Sequence, residues 1–543
     1  MRLAGTFLLL ALTLTGAARS GAQEPDRGYG DALPPPLDRG APAARALLGG
    51  RVALSEAVRR ALAQNADIQI QAQQLRAGQG GVLEARGAYD TDLVLRSERE
   101  LTQRPLNSSE RAGLATTPDP GLRTEVNRNT AYRAGVERTL ESGVRVELGL
   151  SVSALTSNLN ALQNNPRTTA GSLRFGLRIP LARNFGGVQQ SATLRASEFE
   201  FQATREDLVQ ASANVVLAVA QSYWEIAARV QRLEILKLSE QGAGELVAEL
   251  RKLIAADQVP SAELNLALAS ESEKRAARVA EEQLLQQAWT TLGRLLNADA
   301  RDVFAAAVAA DPLPAIDAAM IDAAAAAEGQ LDGVLERRAD LRSARLRERS
   351  AQALLVAAHN NLRPQIDLIT GVTTNGLAEG SSSLAVAPAL NNGRPEPSLN
   401  VALEFRLPIE NNVARGQLLA RTAAHDQATI RVRELERSIG PALSATASSI
   451  RRTAARYRET VAAAERYEIS VRNELTKRRL GLATLIDVLN VRDRLDGAQL
   501  SLLQLRQEYA SLIAQVLFDS GLLVLPAPGG YDVDLQRLQG LPR

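Results

Sequence analysis

Two hydrophobic periods alternate along this chain. From Ser55 to about Ala88 the apolar residues Val58, Leu62, Ile68, Ala72 and Leu75 recur near helical spacing, with Ser55 as N-cap. At Asp90 the period drops to two. Leu93 and Leu95 alternate with Asp92 and Arg96, and a polar stretch from Arg104 to Asn129 interrupts. Tyr132, Ala134 and Val136 then alternate with Arg133, Gly135 and Glu137. After the short turn Glu141-Ser142-Gly143, Val144, Val146, Leu148, Leu150 and Val152 alternate with Arg145, Glu147, Gly149 and Ser151. A second polar loop, Ser157 to Thr169, leads to Leu173, Phe175, Leu177 and Ile179 against Arg174, Gly176 and Arg178. Such strands bury or expose one aliphatic face and carry charge on the other. A soluble sandwich and a membrane barrel share this alternation. Long loops alternating with a short turn are the barrel's habit.

From about Val188 to Ala256 the period is helical without interruption, roughly 100 Å at 1.5 Å per residue. Val259-Pro260-Ser261 breaks it, and a return helix is expected from Ala262 to about Leu296. Helices of this length are coiled coils, spans or repeats, and Glu271, Glu273, Lys274 and Arg275 exclude a span.

The pattern then recurs. An Ala- and Asp-rich connector, 298–330, holds one short expected helix, Ala318 to Ala327. A helix follows over Leu331 to Asn361, a strand over Gln365 to Thr373, and a loop over Asn375 to Pro397. The next strand has Leu399, Val401, Leu403, Phe405 and Leu407 on one face. A long helix from Ala414 to Arg479 breaks at Leu480-Gly481, and a return helix runs from Thr484 to about Ser520. The two halves also match in sequence. Asn65-Ala66-Asp67-Ile68 corresponds to Arg338-Ala339-Asp340-Leu341, and the same offset of about 273 carries Leu93 onto Ile366 and Leu95 onto Leu368. Arg178-Ile179-Pro180-Leu181 resembles Arg406-Leu407-Pro408-Ile409. The chain reads as a tandem duplication, 51–297 and 331–523, with a loop-like tail over 524–543.

Composition changes the picture at the N-terminus. Arg2, the apolar run Phe7 to Leu14 and the small residues Ser20-Gly21-Ala22 read as a secretory signal peptide, 1–22. A Pro- and Gly-rich linker, 23–50, follows. The mature chain is therefore exported. It contains no Cys, which excludes disulfides and metal–thiolate sites. The net charge of +2 gives no reason to expect nucleic acid. His359 and His425 lie far apart in helical stretches, and no nucleotide loop or metal-binding histidine pair is present, so neither an enzyme nor a cofactor is expected.

Helix, strands, long helix, sharp tip, return helix, all repeated, resembles the outer-membrane efflux proteins, the TolC-like channel-tunnels. The resemblance covers about residues 52 to 523. It rests on Arg338-Ala339-Asp340-Leu341, Pro364 at the strand entry, Arg406-Leu407-Pro408-Ile409, and Leu480-Gly481-Leu482-Ala483-Thr484-Leu485-Ile486-Asp487-Val488-Leu489. It implies a mainly α fold with membrane β: a coiled-coil helical barrel and a trimeric transmembrane β-barrel. Family members usually supply four strands per subunit, whereas the alternation here reads as four or six, with the smaller number slightly favoured.

The resemblance also implies site residues. Val259, Pro260 and Ser261 in the first half, and Leu480, Gly481, Leu482 and Thr484 in the second, occupy helix tips that would meet a periplasmic adaptor. Asp487, with Glu263 and Asn490, stands where a carboxylate ring narrows the entrance. Asp487 reads equally as a helix N-terminal carboxylate. Ala483 and Arg478 replace residues that lock the gate in some members. The polar strand face, including Arg145, Glu147, Arg174, Arg178, Glu404 and Arg406, would line a lumen or form cross-strand ion pairs. The implied function is an outer-membrane exit duct working with an adaptor and an inner-membrane transporter, in tripartite efflux or type I secretion. The competing reading is a soluble periplasmic coiled-coil adaptor without a pore.

Overall fold

The computed structural model describes residues 52–162, 165, 167–256, 261–298, 310–316, 321–322, 329, 331–380, 390, 397–527, 530–533 and 535–538. The expected signal peptide and linker, with Val259 and Pro260, lie outside these residues, as does most of the connector. Of the helix expected over 318–327, only Ile321 and Asp322 are described, and both are helical. The chain divides into two units, with boundaries that fall inside helices.

One unit, residues 78–201 and 346–430, holds the sheet. Its strands are β1 (Thr91–Pro105), β2 (Thr124–Thr139), β3 (Arg145–Ser157), β4 (Arg167–Pro180), β5 (Gln365–Glu379) and β6 (Ser398–Arg406). They form one six-stranded sheet in sequence order, antiparallel throughout. The preference for four strands is thus corrected. The β2–β3 hairpin is laddered on both sides, and its aliphatic residues continue its neighbours' rows. Leu93, Val136, Leu148, Phe175, Val372 and Leu399 follow one another across all six strands.

The strands are longer than their apolar alternation. β1 extends to Pro105 and β2 begins at Thr124, so the first polar loop shrinks, and it carries a short helix, Ser108–Ala112. β5 likewise runs to Glu379. Ladder hydrogen bonds continue where the side chains turn polar, because backbone pairing does not depend on hydrophobic faces. The long helices join the sheet at one end, before Thr91 and Gln365 and after Pro180 and Arg406, while the short helices Ser108–Ala112 and Asn158–Ala161 lie in the loops at the other. The β2–β3 turn sits at this same end and packs on the bend that follows β4: a Cβ on Gly187 would stand 2.0 Å from the Glu141 carbonyl oxygen.

The other unit, residues 52–77, 202–345 and 431–538 among those described, is helical. Both long hairpins form near their expected limits. The first is α3 (Val188–Ala255) and α4 (Ala262–Leu295); the second is α7 (Asn412–Arg479) and α8 (Leu485–Asp519). The helices that open each half differ from expectation. Each is broken in two: α1 (Leu54–Gln64) and α2 (Ala66–Arg86), then α5 (Leu331–Arg337) and α6 (Ala339–Asn360). The breaks fall at Asn65 and Arg338, the first residues of the duplicated motif.

Both residues do the same work by different chemistry. Asn65 is buried; its Oδ1 accepts from the Asp67 amide at 2.9 Å and its Nδ2 donates to the Leu295 carbonyl at 2.8 Å. It therefore caps the start of α2 and the end of α4 together. Arg338 donates to the Phe518 carbonyl at 3.2 Å, at the end of α8, and pairs with Asp340 at 2.6 Å. The Asp340 carboxylate in turn accepts from the Leu341 amide at 2.9 Å. Each return helix ends in the same way, with Asn297 or Gly521 in the left-handed region and an amide reaching back five residues. The duplicated motif ties the head of each half to the foot of its return helix.

Within the same unit Tyr223 and Trp224 are fully buried in T-shaped contact, centroids 5.1 Å apart. The Tyr223 hydroxyl lies 2.9 Å from the Val52 carbonyl and accepts from the Asp311 amide at 3.0 Å, which pins the described part of the connector. Burial, with Asp311 beside it, raises the Tyr223 pKa, so the phenol stays a donor. The tail is not a simple loop: Leu525–Ala527 and Gly530–Asp532 pair antiparallel, and a short helix, Leu535–Leu538, follows. Among the described residues no helix is long and apolar enough to cross a membrane.

Two predictions follow from these joints. Gly186 and Gly187 both have positive φ, but a Cβ on Gly186 meets nothing within 4 Å. Gly186→Ala should therefore cost only the left-handed penalty of about 1–2 kcal/mol. Gly187→Ala should cost clearly more, read as lower thermal stability or folded yield of the purified protein; equal losses would refute the packed turn. Asn65→Ala should destabilise by roughly 1–2 kcal/mol through loss of both hydrogen bonds. Asn65→Asp, which keeps the acceptor for Asp67, should recover part of that loss in the same melting experiment.

Candidate functional site

Two regions gather the residues singled out by sequence. The first is the polar face of the sheet. Strand parity puts Asp92, Glu137 and Glu147 in one row and Arg145 and Arg178 in the next. Arg145 reaches Glu137 at 2.8 Å and lies 3.9 Å from Glu147. Arg178 bridges Asp367 at 3.0 Å and Glu404 at 2.8 Å, and Glu404 also accepts from Arg406 at 2.9 Å. These pairs join β2 to β3, and β4 to β5 and β6. Of the expected set, Arg174 alone makes no ion pair among the described residues. The cross-strand reading holds for Arg145, Arg178 and Glu404, whereas Glu147 and Arg406 pair with residues of their own strands, and most of the charge is neutralised locally.

The opposite face carries the aliphatic rows, and it is exposed: Leu95, Leu399, Val401, Leu403 and Phe405 are each more than 60% accessible. Every carboxylate on the six strands belongs to the polar face: Asp92, Glu98, Glu100, Glu125, Glu137, Glu147, Asp367, Glu379 and Glu404. An exposed sheet face without a single carboxylate suits contact with lipid rather than water. This segregation could have been read from the alternation by following each strand's parity past its apolar stretch.

The second region is the pair of hairpin tips, both in the helical unit. Leu246, Val247 and Leu250 of α3, Ala267 of α4 and Leu485 of α8 form one buried cluster, with Leu264, Leu268 and Leu489 against it. Gly481, at φ +73°, lets the chain turn after α7, and the Leu482 amide reaches back to the Lys477 carbonyl. Thr484 and Asp487 then form a capping box. The Asp487 carboxylate accepts from the Thr484 amide at 2.9 Å and from its hydroxyl at 2.6 Å, and the Asp487 amide donates to Thr484 Oγ1 at 3.3 Å. The Thr484 hydroxyl and then its amide, with Lys477 nearby, hold the Asp487 pKa below its ordinary value.

Asp487 and Asn490 lie one turn apart on the exposed face of α8, while Val488 faces inward. Leu480 and Leu482 are among the most exposed large apolar side chains. The first tip is built differently. Ser261 precedes α4 without a side-chain cap, and Glu263 is the second residue of that helix.

Two polar ties at this end escaped the sequence reading. Arg478 pairs with Glu249 of α3 at 3.4 Å, joining one hairpin to the other. Lys274 of α4 lies between Asp493 at 2.6 Å and Asp496 at 3.0 Å of α8, and Asp496 also accepts from Ser239. Burial opposes the charge on Lys274, but the two carboxylates outweigh it and raise its pKa. Neither tie has a local motif, because its members are far apart in sequence. Among the described residues no group of His, Asp or Glu side chains is arranged to hold a metal ion.

Comparison with known proteins agrees with this architecture. Residues 331–516 match the outer membrane efflux protein family. No curated protein matches the chain. The fold is similar to that of a membrane protein from Pseudomonas aeruginosa, at 16% identity and TM-score 0.64, covering 91% of this chain and 97% of that one. It is similar to the outer membrane protein VceC from Vibrio cholerae, at 18% identity and TM-score 0.62, covering 86% and 96%. It is also similar to the Campylobacter jejuni CmeC outer membrane channel, at 16% identity and TM-score 0.61, covering 90% of each chain. The repeated helix–strand–hairpin order and the six-stranded sheet are thus the fold of these solved outer-membrane proteins, and residues 331–516 match the outer membrane efflux protein family in sequence.

Proposed function

We propose that three copies of this chain form the exit duct of a tripartite efflux or type I secretion system. The observation that carries this reading is the open six-stranded sheet with an exposed aliphatic face. β1 and β6 each have one unpaired edge, and an open edge is not tolerated in hydrocarbon. β1 leaves the helical end of the sheet and β6 returns to it, so β6 of one copy can pair antiparallel with β1 of the next. Three copies of six strands would close an eighteen-stranded wall. A barrel of that size holds an aqueous channel, and its polar face would line the lumen. A soluble adaptor explains the hairpins but not this sheet.

In this reading the tips dock a periplasmic adaptor through the exposed Leu480 and Leu482, and an inner-membrane transporter supplies the energy. Val259, Pro260 and Ser261 would serve the same role in the first half. Asp487 has two roles, cap and gate. Its carboxylate holds the turn, and three such carboxylates about a threefold axis, with Glu263 and Asn490 nearby, would attract cations at the entrance. Arg478–Glu249 takes the place of the lock that Ala483 cannot provide.

Conductance in planar bilayers tests the duct: discrete single-channel steps support it, and a water-soluble, non-conducting protein would sink it. The gate separates from the cap in Asp487→Asn, whose side-chain oxygen can still accept from Thr484. This variant should relieve block by multivalent cations while the tip stays folded; unchanged block leaves Asp487 as a cap only. The lowered Asp487 pKa sets the pH dependence. The cap's contribution is full above the ordinary carboxylate pKa of about 3.9 and is lost as pH falls through the lower folded value. Cation block should therefore persist at pH 5; its loss there would contradict the assignment.

A further inference from the structure

The outward face of the sheet is not free of charge. It carries four arginines, Arg99, Arg128, Arg138 and Arg167, and no carboxylate opposes them there. Arg138 lies at the helical end of β2, and Arg128 stands ten residues further along the same strand. Ala134, Val136 and Tyr132 lie between them on that face, with Leu93 and Leu95 opposite on β1. Ten residues of strand span roughly 33 Å, or about 25 Å across a bilayer at the usual barrel tilt, the height of a barrel's apolar band. Arg138 and Arg128 therefore bracket that band, and Arg128 stands at its far boundary.

Arg99 and Arg128 are placed to act together. Arg99 is opposite Thr130, and Leu101 is opposite Arg128, so the two arginines are diagonal neighbours on one face. Their Cβ atoms are then about 7–8 Å apart, within the reach of two guanidinium groups that converge on one anion. The Thr130 hydroxyl lies on the same face between them. Both arginines are exposed, and neither has an ion pair or hydrogen-bonded side-chain partner among the described residues. The neighbouring carboxylates Glu98 and Glu100 are on the other face, where Glu98 serves Arg96 and Arg133. Arg167 shares the row of Arg128 through Thr156, but it has contacts of its own.

We propose that Arg99 and Arg128 bind the phosphate of an anionic lipid in the outer leaflet. This inference rests on the reading of the aliphatic face as lipid-facing. Charge complementarity selects the occupant. At this level the neighbours are lipid headgroups, and two adjacent guanidinium groups without a carboxylate match a phosphate monoester in charge and geometry. A phosphorylated glycolipid would then be held at the protein–lipid boundary, where its acyl chains can lie along Leu95 and Tyr132.

The test uses the purified full-length protein in detergent and diphosphoryl lipid A as probe, with binding followed by native mass spectrometry. The paired substitution Arg99→Gln/Arg128→Gln should weaken binding about tenfold, the loss of roughly one charge-assisted hydrogen bond or more. Arg99→Lys/Arg128→Lys should retain part of it, and Arg96→Gln, on the opposite face, should leave it unchanged. Removal of the phosphates from the probe should abolish the difference between wild type and the Gln variant. Equal binding by wild type and the Gln variant overturns the proposal. So does undiminished binding of the dephosphorylated lipid. Single-channel conductance of both proteins keeps this failure distinct: if the wild type does not conduct, it is the lipid-facing reading that falls.

Discussion

A strand edge presents a row of unpaired amides and carbonyls, and hydrocarbon offers them no partner. That constraint governs most of this molecule. Six strands laddered in order leave two such edges, one on β1 and one on β6. An exposed aliphatic face argues against leaving them in water, and in the proposed duct other copies pair with them. The duplication bears on the same problem. Each half contributes an up strand and a down strand at its limits, and the inserted β2–β3 hairpin adds one of each. The count stays even, and the antiparallel order survives closure.

Side-chain chemistry follows the same division. Carboxylates stay on the polar face, where arginines on neighbouring strands neutralise them. The outward face keeps aliphatic residues between arginines. At the other functional region, the tips, polar contacts have a different task. The Thr484–Asp487 box shapes a turn, while Arg478–Glu249 and the Lys274–Asp493–Asp496 group tie separate hairpins together. In the proposed duct such ties are reversible, as an opening entrance requires. The packed cluster around Leu246, Leu250 and Leu485 keeps the tips associated meanwhile.

Much of this was legible in the sequence. The long hairpins, the turn at Gly481 and the repeated strands all announce themselves through period and breakers. Three things did not. Strand length was underestimated, because beyond Leu95 and Tyr132 both faces of β1 and β2 become mainly polar while the ladder continues. The helix breaks at Asn65 and Arg338 were missed, because each depends on a carbonyl more than 170 residues away, Leu295 or Phe518. The strand count stayed open because alternation shows that a segment is a strand but not which strands it pairs with. The family match covers 331–516, so the first half is carried by fold and internal repetition.

The central claim is that β6 of one copy pairs with β1 of another, and the absence of native Cys makes it directly testable. In a chain carrying Leu95→Cys on β1 and Val401→Cys on β6, the two thiols lie on the outermost strands of the six-stranded sheet, about 24 Å apart at the usual strand spacing. A short bismaleimide therefore cannot join them within one open sheet, but it can join neighbouring copies. The account predicts a cross-linked ladder that ends at three chains. Monomers alone, or a ladder that runs past three, would contradict it.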